Sequence, residues 1–333
     1  MSEKVTEEDK ESGGTRRAFA GYGELVILVF LIVVFSILNP SKFPTVANLN
    51  TILNTAAVPT IVGVGATFVV LMGRIDLSVE GTMGAAGLAY VLLSPNSRTG
   101  TNWGFGAIVV ALALGAGLGV ATALVHTRLK VPSFIVSLGM WYVGLGIAAV
   151  LFGQEMQPFL SDPDTTVWPT SAPLGVSNSY LLALVVVALG FLVERFTRLG
   201  RVPYAIGNNE GVALLTGIPV GRYCIYAFAI AGACSALAGV IASMSLGAGA
   251  ANVGVGMVFF TLAAVVIGGT PLSGGKGGVL RTLVGVLVLS TLYNGLILSG
   301  VAPSLQSGVS GLVLIIAAIA AGWSQRDRLR VVK

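Results

Sequence analysis

One short stretch of the sequence, LMGRIDLSVEGTMG, holds three side chains that could do chemistry: Arg74, Asp76 and Glu80. Long runs of Val, Ile, Leu, Ala and Gly flank it, and such runs do not solvate charge. Helix-end chemistry gives the simplest interpretation: Asp76 or Ser78 caps a following helix, and Arg74 forms an ion pair with one of the acids. We therefore expect these charges to lie at a wet boundary of the molecule.

A second stretch, GGTPLSGGKGG at 268–278, invites comparison with a phosphate-binding loop. The comparison fails, because Thr270 stands where the first glycine of GxxxxGK would be and Gly277 follows Lys276 where Ser or Thr is needed. No nucleotide site is encoded here. The glycines instead predict an irregular turn between two helices, which is tolerated at membrane depth only if it is buried in protein or lines water.

A third stretch, YAIGNNEGVALLTGIPVGR at 204–222, predicts a short amphipathic helix. Asn208 or Asn209 can cap it, Glu210 falls in its first turn, and Gly217 with the following proline ends it. Its apolar face includes Leu214 and Leu215. Two interpretations stay open on the residues alone: a helix lying in the lipid headgroups, or a helix docked in a groove of another protein.

No constellation typical of catalysis or metal binding is present. His126 is the only histidine, no HExxH or paired-carboxylate pattern occurs, and Cys224 and Cys234 lie too far apart along one helix for a disulfide. We therefore expect no enzyme activity, no cofactor and no metal. The polar residues within apolar runs are neutral, and four of them are candidates to line a solute pathway: Asn54, Thr60, Asn294 and Gln306.

These residues sit in a chain that must be embedded in a membrane. Of 333 residues, 55% are hydrophobic and only 10% are charged, against about 25% charged in soluble domains. The apolar runs have the length that an α-helix needs to cross a bilayer. We predict an all-α polytopic membrane protein with about ten spans, of which the eighth is short or broken. The predicted spans lie near 23–38, 53–72, 79–94, 104–125, 132–152, 180–196, 223–243, 256–269, 278–298 and 304–323.

The distribution of basic residues predicts the orientation. If the N-terminus is cytoplasmic, only Lys42 and Arg98 of the 19 Lys and Arg residues fall outside, which agrees with the excess of positive charge on cytoplasmic loops. We expect a cytoplasmic tail at 1–21, a transmembrane domain at 22–323 and a basic cytoplasmic tail at 324–333. This arrangement explains the positive charge without nucleic acid.

Taken in order, the three stretches resemble the permease subunits of ribose-type ABC importers for monosaccharides and related solutes. That family shows a GGIDLS-like turn, an internal loop of the form GxNexAAxxxGI and a late AVVLGGxxLxGGxG segment. Arg74 and Glu80 depart from it, since glycine is common at both positions, and their opposite charges suggest a local ion pair. The corresponding segments here contain Gly73, Asp76, Leu77 and Ser78; Gly207, Asn208, Asn209, Glu210, Gly217 and Ile218; and Gly268, Gly269, Ser273, Gly274, Gly275 and Lys276.

The resemblance implies a multi-pass protein of the bacterial inner membrane. It implies a second permease subunit, identical or a sister chain, two ATP-binding subunits or one tandem ATPase inside, and a solute-binding protein outside. The loop at 204–222 would then be the coupling helix that docks into the ATPase. Two alternatives are weighed against this: an ion-coupled secondary transporter, which needs an ionisable group within a span, and a membrane enzyme, which needs a reactive constellation.

Overall fold

The computed structural model describes residues 23–302 and six residues further on, at 305, 308, 309, 311, 312 and 315. The predicted tails at 1–21 and 324–333, most of the predicted span at 304–323 and the candidate Gln306 lie outside the described residues. Within them the chain is helical, with two isolated β-bridges and no strand. The predicted all-α class is confirmed for this part of the chain.

Twelve helices follow one another between residues 23 and 302, and they are numbered here in chain order. They are α1 Gly23–Leu38, α2 Val46–Leu71, α3 Val79–Leu93, α4 Phe105–Leu129, α5 Ser133–Phe152, α6 Pro163–Val167, α7 Asn178–Phe196, α8 Arg198–Asn208, α9 Glu210–Leu215, α10 Val220–Leu246, α11 Met257–Ile267 and α12 Val279–Leu298.

Six of these helices are long and apolar enough to cross a membrane: α2, α4, α5, α7, α10 and α12. The predicted spans near 23–38, 79–94 and 256–269 form shorter helices of 16, 15 and 11 residues. An 11-residue helix is about 16 Å long, roughly half the thickness of the hydrocarbon core. The eighth predicted span is therefore short, as expected.

The long helix α10 lies at the centre and packs against α2, α3 and α4. Small residues allow this close packing, because a Cβ on Gly232 would overlap the backbone of Gly115 in α4. Where lipid supplies no hydrophobic drive between helices, close backbone approach is a main source of association. The high glycine content of the apolar runs thus serves helix packing.

The connections between helices lie at two opposite ends of the bundle. We call one the motif end, because it contains the turns at 72–78, 130–132, 197–219 and 268–278. The other, the far end, contains the connections at 39–45, 94–104, 153–177 and 299–302. Hydrogen bonds join the four far-end connections in two pairs, one through Asn39 and Ser299 and the other through the Ser97 N–H and the Phe159 carbonyl.

The connection from α2 to α3 extends into the bundle before α3 begins. The Ile75 N–H donates to Ser133 Oγ at the start of α5, and the Ser137 hydroxyl donates to the Ile75 carbonyl. Further along, Gly81 lies against the backbone of Trp141, in the middle of α5. Helix α3 therefore starts level with the interior of α5 rather than at its end.

Candidate functional site

The three stretches singled out in the sequence meet at the motif end. The Gly275 N–H donates to the Leu71 carbonyl at 2.9 Å, and the Asn208 amide donates to the Gly275 carbonyl at 3.3 Å. Gly207 lies so close to both Leu71 and Gly275 that a side chain there would overlap their backbone atoms. The end of α2, the end of α8 and the glycine-rich turn are thus in direct contact.

The segment at 198–215 forms two short helices, α8 and α9, where one amphipathic helix was expected. Asn209 separates them, and its side-chain oxygen accepts from the Val212 N–H at 3.1 Å, so Asn209 is the cap of α9. Gly217 has φ +78 just after α9, and the Ile218 N–H bonds back to the Ala213 carbonyl. The expected capping asparagine and terminating glycine are confirmed.

Helix α9 presents apolar side chains away from the bundle. Val212, Leu214 and Leu215 are 54%, 57% and 90% exposed, whereas Ala213 is buried against the protein. Glu210 lies in the first turn, where the helix dipole favours an acid. The result is a small apolar surface, Val212–Leu214–Leu215, which we call the α9 face.

Arg74 connects α9 to the membrane helices. Its guanidinium donates from Nη2 to Glu210 Oε1 at 2.9 Å, from Nε to His126 Nε2 at 3.0 Å and from Nη1 to the Met72 carbonyl at 2.8 Å. Because Nε2 of His126 accepts, the ring proton is on Nδ1, which faces the Val131 carbonyl at 2.7 Å. Three fixed contacts hold a side chain that is only 12% exposed.

The expected ion pair between Arg74 and Glu80 is therefore wrong. Arg74 points toward the motif end and pairs with Glu210, while Glu80 lies within the bundle. The two side chains diverge because the extended residues between them carry the chain from the motif end into the bundle. The sequence spacing did not predict this, because the seven residues from Arg74 to Glu80 had been expected to form one turn with both charges at the same boundary.

The expectation that Asp76 and Glu80 lie at a wet boundary is also wrong. They are 4% and 5% exposed, and Ser78 is equally buried. Asp76 Oδ1 accepts from the N–H and the hydroxyl of Ser78, which closes a local turn before α3. Glu80 Oε1 accepts from the Gly256 and Val258 N–H groups at 2.9 and 3.4 Å, at the start of α11. Backbone and hydroxyl donors offset part of the cost of burying these acids.

Leu77 is partly buried against the main core, and Gly73 has φ +70 and touches the Ser273 carbonyl. The positive φ explains why glycine is required at the point where the chain leaves α2. The side chain of Ser273 and the Lys276 ammonium lie on the outside of the glycine-rich turn. In this turn Gly269, Gly274 and Gly275 also have positive φ, so the irregular turn predicted for it is confirmed.

A further contact, between α7, α8 and α12, was not predicted from the sequence. Glu194 Oε2 accepts from the Val279 N–H at 2.8 Å, at the start of α12, and its Oε1 accepts from the Tyr204 hydroxyl at 2.5 Å. Burial and the neighbouring Glu194 both raise the pKa of Tyr204 above its ordinary value, so the hydroxyl stays a donor. Nothing in the sequence spacing of Glu194 points to a contact with α12.

Comparison with known proteins identifies the family. The family described as "Branched-chain amino acid transport system / permease component" matches residues 48–318. The chain belongs to this permease family. The ribose import permease protein RbsC of Escherichia coli is 35% identical over 302 residues, which cover 89% of this chain and 91% of that protein. No solved structure matches the chain.

Two further relatives are also named as sugar permeases. The D-allose transport system permease protein AlsC of Escherichia coli is 30% identical over 299 residues, covering 90% of each chain. The galactofuranose transporter permease protein YtfT of the same organism is 29% identical over 306 residues, covering 89% of this chain and 87% of that protein. The chain is thus a membrane transport subunit and not an enzyme.

Of the residues suggested to line a pathway in this permease, three are described. Thr60 is 1% and Asn294 9% exposed, and Thr60 Oγ1 and Asn294 Oδ1 have no hydrogen-bond partner within the described chain. Asn54 Oδ1 accepts from the Ser179 hydroxyl at 2.8 Å. All three lie between helices, and no group of three His, Cys, Asp or Glu side chains among the described residues could hold a metal.

Proposed function

We propose that this permease forms the translocation pathway of an ATP-driven ABC importer for a monosaccharide or a related small polar solute. The observation that carries the proposal is the α9 face. It is apolar and exposed, and it is joined to four membrane helices through Arg74, Glu194 and the backbone of Gly207. A surface of this kind fits a groove on a partner protein and can transmit force into the bundle.

The orientation and the span count are part of this proposal. The described connections at the motif end, and the helix ends next to them, contain many basic residues, namely Arg128, Lys130, Arg195, Arg198, Arg201, Arg222 and Lys276. Those at the far end contain Lys42 and Arg98. The motif end is accordingly cytoplasmic. The chain crosses the bacterial inner membrane about ten times. The segments at 1–21 and 324–333 are cytoplasmic tails on either side of the permease domain at 22–323.

The transporter contains further subunits. Two permease chains, identical or sister chains, form the pore; two ATP-binding subunits, or one tandem ATPase, bind the α9 faces; and a solute-binding protein delivers the solute outside. Gly207, Asn208, Asn209, Glu210, Gly217 and Ile218 shape the coupling segment, and Leu214 and Leu215 make its contact with the ATPase. Family membership and the sugar names of the relatives support this assembly.

Movement passes from the ATPase to the membrane helices through the contacts at the motif end. When ATP closes the ATPase dimer, α9 moves with it. Glu210 then displaces Arg74 and the extended segment before α3, while Tyr204 and Glu194 displace the start of α12. The two permeases alternate between outward and inward opening, because the docked ATPase binds each arrangement with a different affinity.

An ion-coupled carrier is the alternative to this proposal. It had been disfavoured because no ionisable side chain was expected within a span, yet Asp76 and Glu80 are both buried in the bundle. Intramembrane acids are common in ion-driven carriers, so this argument no longer applies. The choice rests on the permease family and on the α9 face, which a single-chain carrier does not need.

The test is reconstitution into liposomes with and without the ATP-binding subunits and the binding protein encoded beside this gene. We expect uptake of labelled ribose, allose or another solute of the binding protein only when ATP and both partners are present. Leu215→Glu is expected to abolish uptake while the permease still inserts. Uptake by the permease alone, driven by an ion gradient, would refute the proposal.

A further inference from the structure

Between α10 and α11 the chain leaves helical geometry while it is deep in the bundle. Gly254 lies against Glu80 and Met83 of α3, and Met83 in turn packs on Gly239, well inside α10. Residue Gly81, next to Glu80, meets the middle of α5. The segment at 249–256 therefore returns from the far end into the interior, and α11 begins there.

The backbone of this segment is not fully paired. Gly256 has φ +85, and among the residues that the structure describes the N–H groups of Asn252 and Gly254 donate no hydrogen bond. Hydrocarbon offers no hydrogen-bond partner, so irregular backbone at membrane depth does not face lipid. The segment must be covered by protein or must line water.

One side of the segment is open. Asn252, Val255 and Phe259 are exposed, the last two to 68% and 61%, and the Asn252 side-chain amide makes no hydrogen bond within the described chain. On the other side Glu80 Oε1 accepts the two N–H groups at the start of α11. The exposed Asn252 amide and the free N–H groups beside it need hydroxyl-sized partners, which water supplies.

We propose that the segment at 249–256, held by Glu80, forms a wetted wall of the solute pathway. The proposal rests on the proposed permease function and adds residues to it that the sequence did not suggest. The wall offers donors at the free N–H groups, and both a donor and an acceptor at the Asn252 side-chain amide. These suit a neutral solute with several hydroxyl groups, which can exchange for water without a change in charge.

Glu80 acts here as a positioning residue. It fixes the start of α11, because Gly256 has no side chain and supplies no cap of its own. Substitution of Glu80 by Gln keeps an oxygen that can accept from Gly256 and Val258, whereas Ala removes it. We expect uptake to be retained within about threefold in Glu80→Gln and to fall by about tenfold or more in Glu80→Ala, because an uncapped helix end is displaced.

The wall is tested by thiol labelling. In full-length permease with Cys224 and Cys234 replaced by Ala, one cysteine is introduced by Asn252→Cys or Val255→Cys and treated with a charged, membrane-impermeant methanethiosulfonate. The control is Val185→Cys in the uninterrupted helix α7, a position that is 54% exposed. Only a hydrated thiol ionises and reacts, so we expect labelling at 252 and 255 to be about tenfold or more faster than at 185.

The results separate the wall from the transport function. Labelling at 252 and 255 as slow as at 185, in a preparation that takes up solute with ATP, would overturn the wall and leave the permease function standing. Fast labelling without ATP-dependent uptake would support the wall and count against the function proposed above. Loss of uptake in Glu80→Gln equal to that in Glu80→Ala would overturn the positioning role of Glu80.

Discussion

The ion pair between Arg74 and Glu210 gives the most direct test of how α9 is connected to the membrane helices. The two side chains meet at 2.9 Å, with Arg74 12% and Glu210 46% exposed. A fully exposed pair contributes up to about 1 kcal/mol, and a hydrogen bond to a charged group about 1.5–3 kcal/mol. For this half-buried pair we expect a coupling energy of about 1–2 kcal/mol, or roughly 5- to 30-fold in rate or equilibrium.

The assay is a double-mutant cycle with Arg74→Ala, Glu210→Ala and the double variant. ATP-dependent uptake and thermal unfolding of the purified complex are both measured. Arg74→Ala is expected to be worse than Glu210→Ala, because it also removes the hydrogen bonds to His126 and the Met72 carbonyl. The double variant should be no worse than Arg74→Ala, since the shared contact is already lost.

A second pair provides the control. Arg98 and Glu155 meet at 2.6 Å at the far end, with side chains 12% and 70% exposed, and they do not contact α9. The same cycle at this pair should change stability slightly and leave the ATP dependence of uptake unaltered. Additive losses for Arg74 and Glu210, or coupling of Arg74 to Glu80 in their place, would refute the role of this ion pair.

Three further predictions test other contacts at the motif end. Leu215→Glu, at a position 90% exposed, should prevent the ATPase from co-purifying by removing about 2 kcal/mol of apolar burial, whereas Leu174→Glu at the far end, 78% exposed, should not. Gly207→Ala should destabilise the permease by about 1–3 kcal/mol in thermal unfolding through overlap with Leu71 and Gly275, whereas Gly117→Ala, which meets nothing within 4 Å, should be nearly neutral. Tyr204→Phe should cost about 1–3 kcal/mol by leaving Glu194 Oε1 without its donor, and an unchanged unfolding temperature would contradict that contact.

The local chemistry of the α9 segment could be read from the sequence. An asparagine before an acidic first turn and a glycine after the last apolar residue specify a capped helix wherever they occur, because the cap is made by neighbours in the chain. The same holds for the glycine-rich turn at 268–278, whose positive φ angles only glycine adopts readily. Both predictions needed no knowledge of distant residues.

The positions of Arg74, Glu80 and Glu194 could not be read in this way. Each finds its partner on a helix far away in sequence: Glu210, the start of α11 and the start of α12, respectively. Hydropathy gives the depth of a residue only when its helix crosses the membrane as one regular rod. Since α3 and α11 begin inside the bundle, residues expected at a boundary lie in the interior.

The sequence by itself determined that this chain is a helical membrane protein, because the length and apolar character of a span are properties of the segment alone. It also determined the order of the three stretches that identify the permease family. Only the tertiary structure decided that these stretches meet at one end, that Arg74 pairs with Glu210 and that Glu80 holds a broken helix. Those contacts depend on how separate helices pack, and packing is fixed by backbone approach between residues that the linear sequence keeps apart.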